Sequence, residues 1–142
     1  MKAEDLIIDG PLDPSTIAVY IADKTADKSA GAHSVFTGQV RDDKIKDRTV
    51  KAIEYSAYDD MVIKEYKKIK DTVLSAFNDV KDVIIIHSRG IVKAGEISLF
   101  VLVTAGHRDQ AMRACRHVVE MIKEHYPVWK KEIFEDDSHQ WQ

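Results

Sequence analysis

Asp82-Val83-Ile84-Ile85-Ile86-His87 and, beyond Gly90 and Gly95, Glu96-Ile97-Ser98-Leu99-Phe100-Val101-Leu102-Val103-Thr104 decide the fold of this chain. Both runs are dense in β-branched and aromatic side chains with little polar interruption, the pattern of strands buried on both faces. The two glycines bracket a turn or a short excursion between them. Upstream, Val62, Tyr66, Ile69, Val73 and Phe77 recur every three or four positions, which predicts an amphipathic helix from Asp59 to about Asn78. Downstream, Met112, Cys115, Val118, Val119 and Ile122 do the same within Asp109 to His125. That helix is expected to stop at Tyr126, because Pro127 disfavours helical geometry in the residue before it.

Working outward, Asp13-Pro14 reads as an N-cap followed by proline at the first helical position, and Ile17, Tyr20 and Ile21 give this helix an apolar face up to about Lys28. Ala32 to Arg41 and Val50 to Tyr58 have strand composition, with the charged stretch Asp42 to Arg48 between them as a solvated, mobile loop. The order α-β-β-α-β-β-α lacks strict strand–helix alternation. The expected class is therefore α+β: a single domain over residues 1–142, its mainly antiparallel sheet packed with about three helices.

With 142 residues, 44% of them hydrophobic, one core is the expectation. Lys and Arg number 21 against 24 Asp and Glu, a net charge of -3, so nucleic acid is not an expected partner. Met1 to Asp5 carries acid where a secretory leader carries base, and the longest apolar runs are too short to span a bilayer, which points to a cytoplasmic protein without a membrane partner. The single cysteine, Cys115, falls on an apolar helical stripe and is read as core. Histidines 33, 87, 107, 117, 125 and 139 are scattered without metal-ligand spacing, and no glycine-rich nucleotide loop is present, so neither metal nor cofactor is expected.

Against this acidic background the C-terminal third gathers cations. His107 and Arg108 follow a buried strand and open a helix, where side-chain charge and free N–H groups address the same space, a good place for a phosphate or carboxylate. Lys123 lies at the border of the helix's buried stripe, where its stem packs while its amine reaches a cleft. Lys130 and Lys131 arrive after Pro127 has turned the chain, so their meeting with Lys123 depends on how the tail folds back. Arg41, at the end of Gly38-Gln39-Val40-Arg41, either grips a phosphate through paired hydrogen bonds or serves Asp42 or Asp43.

Phe36-Thr37-Gly38-Gln39-Val40-Arg41, Glu54-Tyr55, Ala57-Tyr58, Met61, Gly95-Glu96, Gly106-His107-Arg108 and Pro127-Val128-Trp129-Lys130-Lys131-Glu132 together resemble the large, catalytic subunit of molybdopterin synthase, from about Gly31 to Trp141. Two positions depart from that pattern: His87-Ser88-Arg89-Gly90 stands where the family commonly reads His-Arg-Ile-Gly, and Gln39 where lysine is frequent. The resemblance implies a sulfurtransferase of molybdenum cofactor biosynthesis. It would convert cyclic pyranopterin monophosphate to molybdopterin with two sulfurs from the thiocarboxylated Gly-Gly C-terminus of a small ubiquitin-like subunit. A homodimer of large subunits within a heterotetramer is implied too.

On that basis Gln39, Val40, Arg41, His107, Arg108, Lys123, Lys130, Lys131 and Glu132 are expected to bind substrate, with Lys123, Lys130 and His107 catalytic. Two cations about 4 Å apart repel by about 4 kcal/mol at an effective dielectric near 20, so such a cluster is relieved by an anion. Crowding also lowers a lysine's pKa and frees its amine for proton transfer or for attack on an acyl group. Lys123 is the first choice for that amine, and His107 is the alternative proton carrier. The competing expectation is a non-catalytic sensor that holds a phosphorylated metabolite in the same pocket.

Overall fold

A computed structural model describes residues 6–142; the acidic start, Met1 to Asp5, lies outside them. The chain runs β1 (Ile7–Asp9), α1 (Pro14–Lys24), β2 (Ala32–Gln39), β3 (Lys44–Ile45), β4 (Arg48–Ala57), α2 (Asp59–Ala76), β5 (Val80–Lys93), β6 (Ile97–Ala105), α3 (Arg108–His125), β7 (Val128–Phe134) and β8 (His139–Trp141). Strand order across the sheet is β2-β6-β5-β4-β7-β8, with β3 on β4 and β1 beside β5. Among the described residues only β1 and β5 run parallel; every other pairing is antiparallel. The class is α+β, with the three helices α1, α2 and α3 among the described residues, as the sequence leads one to expect.

Strand alternation sorts the core into two layers. Val83 and Ile85 of β5, with Val101 and Val103 of β6, bury against Val62, Tyr66, Ile69 and Val73 of α2 and Ala114 and Val118 of α3. Ile84, Ile86, Phe100 and Leu102 point the other way, where Ile17, Tyr20 and Ile21 of α1 cover them. Asp13 caps α1 through its side chain, accepting from the Ser15 N–H, and Pro14 opens the helix. Cys115 is buried among the first set, and burial pushes its thiol pKa up. Asp82 ties both layers to the start of β5, its carboxylate 2.5 Å from Lys24 of α1 and 2.9 Å from Lys70 of α2.

Two expectations are corrected. Residues 90–95 are no excursion: β5 continues through Gly90, where φ is +87°, and turns only at Gly95. It changes partner there, leaving the ladder with β6 after His87 and pairing with β4 from Gly90 to Lys93. Nor is Asp42 to Arg48 simply a loop, since Lys44 and Ile45 pair back onto Arg48 and Thr49. Lys46 and Asp47 adopt positive φ at the two central positions, as a tight hairpin requires. Among the described residues, no helix is long and apolar enough to cross a membrane.

Candidate active site

A cleft of about 520 Å³ opens between the end of β2, the last turns of α3 and the β4–β7 ladder. Its geometry follows from Pro127. Tyr126 ends α3 in extended conformation (φ -66°, ψ 130°), and the chain returns as β7 along β4 instead of continuing as helix. This return brings Lys130 back to the side of Lys123, and both line the cleft.

Alternation along β7 then decides which charges enter. Lys130 and Glu132 face the cleft, whereas Lys131 points to the opposite side, 3.0 Å from Glu54 and 5.3 Å from the centre of the Trp141 ring. The expectation that Lys131 joins the other site residues is thereby corrected. The pKa of Lys130 is lowered, first by removal of water from its ammonium and second by the charge of Lys123. Lys130 remains exposed as a residue, so the effect belongs to the crowded wall of an open cleft and not to a dry interior. Glu132 is only 5% exposed, and no protein group among the described residues pairs with its carboxylate.

The opposite wall is β2. Gly38 passes so close to β6 that a β-carbon there would lie 3.2 Å from that of Leu99. Gln39, Val40 and Arg41 continue from it along the cleft. Arg41 lines the cleft and contacts Asp43 at 3.2 Å, with its side chain 79% exposed.

His107 and Arg108 stand elsewhere. They begin α3 while Lys123 is near its end, and fifteen residues of helix separate Arg108 from Lys123 by about 22 Å along the axis. The helix start already has an anion beside it, because Asp79 accepts from the His107 N–H at 2.7 Å and lies 3.2 Å from its Nδ1. A β-carbon at Gly106 would overlap the same Asp79 carboxylate, so a side chain there would push that carboxylate off the His107 N–H. Within one chain the cleft therefore gathers three of these cations: Arg41, Lys123 and Lys130.

Sequence reasoning passed over His87, which forms part of the cleft wall while being 5% exposed. Its place on an apolar strand made it look like an ordinary core residue. Among the described residues, no three His, Cys, Asp or Glu side chains gather as they would around a metal ion.

The model of the MoaE protein family matches residues 7–125. This chain belongs to that family. The MoaE-family chain is 40% identical over 118 residues to a molybdopterin synthase catalytic subunit of Dictyostelium discoideum, covering 82% of this chain and 74% of the relative. A protein of the same name from Drosophila willistoni is 36% identical over 136 residues, 95% of this chain but 35% of its own length. The chain thus spans about a third of the curated Drosophila relatives it matches. The crystal structure of molybdopterin synthase from Staphylococcus aureus superposes with a TM-score of 0.85 at 32% identity, over 100% of this chain and 98% of that one.

Proposed function

We propose that this MoaE-family chain is the catalytic subunit of a molybdopterin synthase, a sulfurtransferase acting as one domain in the cytoplasm. Its substrate is cyclic pyranopterin monophosphate, and its sulfur donor is the thiocarboxylated Gly-Gly C-terminus of a small ubiquitin-like partner. One observation carries the reading: Lys123 and Lys130, seven residues apart across a proline, enter a single cleft with Arg41 and an unpaired, buried Glu132.

Charge repulsion and lost hydration both favour the neutral amine of Lys130. Of the two cleft lysines, Lys130 is therefore the proposed source of the free amine, in place of Lys123. That amine takes a proton, or forms a C–N bond to the partner's acyl carbon as the C–S bond breaks and the sulfur leaves as hydrosulfide with the amine's proton, while Lys123 and Arg41 hold anionic groups of the substrate and stabilise negative charge that develops on the acyl oxygen. Gln39 and Val40 shape the wall beside Arg41, and Glu132 either restrains a lysine or accepts a hydrogen bond from the substrate.

His107 and Arg108 reach the cleft only from a second copy of the chain. Their exposure supports this, the His107 side chain being 87% accessible. The proposed assembly is a homodimer of this chain with one small subunit at each end. The test mixes the protein with a thiocarboxylated Gly-Gly-tailed partner and the precursor, and assays dithiolene formation. Turnover that Lys130→Ala abolishes with precursor binding largely retained, and that Lys123→Ala abolishes together with some loss of precursor affinity, is expected. No turnover with a competent partner would refute the enzyme, and loss of affinity alone would favour a sensor.

A further inference from the structure

Below its cations the cleft has a ring-built wall that carries no charge. His87 is packed edge-on against Tyr55, with centroids 5.0 Å apart, and stacked on Tyr126 at 6.4 Å. Its Nδ1 lies 2.8 Å from the Ser88 carbonyl oxygen. A carbonyl only accepts, so Nδ1 carries the hydrogen, and in the neutral ring Nε2 is left with a free lone pair. The ring stays neutral because burial lowers its pKa to about 4; the Ser88 bond acts against this, and the charge of Lys130 adds to it.

That lone pair is unused among the described residues. Among the described residues Nε2 has no hydrogen-bond partner, and the polar side-chain atoms sealed from solvent without one are Ser88 Oγ and Tyr126 OH. Nε2 is not sealed, and His87 lines the cleft, so this nitrogen opens onto it. Tyr55 does not compete, because its hydroxyl donates to Ser98 Oγ at 3.0 Å. β6 and β1 place only Leu99 and Ile7 opposite His87. The charged groups sharing the cleft are Arg41, Asp43, Lys123, Lys130 and Glu132.

The lysines and Arg41 attract negative charge but do not distinguish one anion from another. A neutral acceptor set between two tyrosine rings does, because it rewards a flat ligand that brings an N–H and penalises one that does not. We propose that His87 is a specificity-determining residue: its Nε2 accepts a hydrogen bond from a ring N–H or amino group of the heterocycle bound in the cleft. The proposal rests on the reading of this cleft as a pyranopterin site, and it adds the residue that recognises the ring as opposed to the phosphate.

Titration calorimetry with two probes, cyclic pyranopterin monophosphate and inorganic phosphate, tests it. His87→Phe weakens pyranopterin binding about ten- to a hundredfold by stranding one donor, and leaves phosphate binding unchanged. His87→Gln, whose amide oxygen takes the place of Nε2, recovers most of the loss. In the unaltered protein labelled with ¹⁵N-histidine, pyranopterin moves the His87 Nε2 resonance and phosphate does not, a readout independent of whether the variants fold. Unchanged pyranopterin affinity in His87→Phe, an equal loss of phosphate affinity, or an unmoved Nε2 resonance overturns the assignment. Where wild-type protein binds and converts the precursor but these readouts fail, only His87 is dismissed; where it does not bind the precursor at all, the pyranopterin reading falls as well.

Discussion

Carry Lys123→Ala on one chain and His107→Ala on another, and neither homodimer should turn over, because each cleft lacks one required group. The mixed dimer is different. About 24 Å along the α3 axis separates the two positions within a chain, so a cleft that uses both draws Lys123 from its own chain and His107 from the partner copy. One of the two clefts in a mixed dimer then contains both defects and the other contains neither. With each chain bearing its own affinity tag, the doubly purified mixed dimer should show about half of wild-type dithiolene formation, and a randomly exchanged, unpurified mixture about a quarter.

The reciprocal arrangement sharpens the result. A chain carrying both substitutions, paired with wild type, places one defect in each cleft, and that dimer should be inactive although it has the same composition. Folding is not at issue, since the His107 side chain is 87% exposed and its backbone N–H keeps its bond to Asp79 after truncation. Equal activity of the two mixed dimers, or full activity of the His107→Ala homodimer, would refute the shared cleft.

Three further outcomes follow from particular contacts. Lys130 has a folded pKa below its unfolded value of 10.5, so its charge opposes folding, and stability should rise as pH increases from the folded pKa towards 10.5; Lys130→Met removes that rise in urea melts and abolishes turnover. Burial raises the Asp82 pKa, but hydrogen bonds from Lys24 and Lys70 outweigh it and the net value lies below 3.8. Its stabilisation is therefore present above 3.8 and lost as pH falls through the folded value, and Asp82→Asn should cost about 2 kcal/mol at pH 7 and flatten the acid limb of the unfolding curve. Phe100, fully buried beneath Tyr20, should cost about 3–5 kcal/mol as Phe100→Ala by chemical denaturation, while cleft binding of phosphate survives in the folded fraction.

The helices α2 and α3 were legible because each buries one stripe, and periodicity reports a stripe directly: Val62, Tyr66, Ile69 and Val73 are the buried residues of α2. The central strands were legible through unbroken apolar runs. What escaped was short or charged. β7 carries Trp129-Lys130-Lys131-Glu132, a composition that local propensity does not assign to a strand, and it is held by its ladder with β4 from Val50 to Ala57. Missing that strand meant missing the alternation that parts Lys131 from Lys130. The cluster itself was legible as a set of residue types, yet its grouping was not, because helix rise sets His107 far from Lys123 whatever their charges share.

The departure at residues 87–90 gains a physical account from the same alternation. On β5, Val83 and Ile85 face α2 and α3, whereas Ile84 and Ile86 face α1. An arginine at position 88 would share the side of Ile84 and Ile86; moved to position 89 it crosses the sheet. There Arg89 lies 3.0 Å from Asp9 of β1 and 2.6 Å from Asp59 at the start of α2. These contacts raise its pKa, the Asp9 hydrogen bond first, and they fasten the parallel β1 strand to the helix that packs over it. Ser88 fills the vacated side with a small buried hydroxyl. One residue of displacement thus places a cation as a brace between β1 and α2, on the face of β5 opposite Ile84 and Ile86.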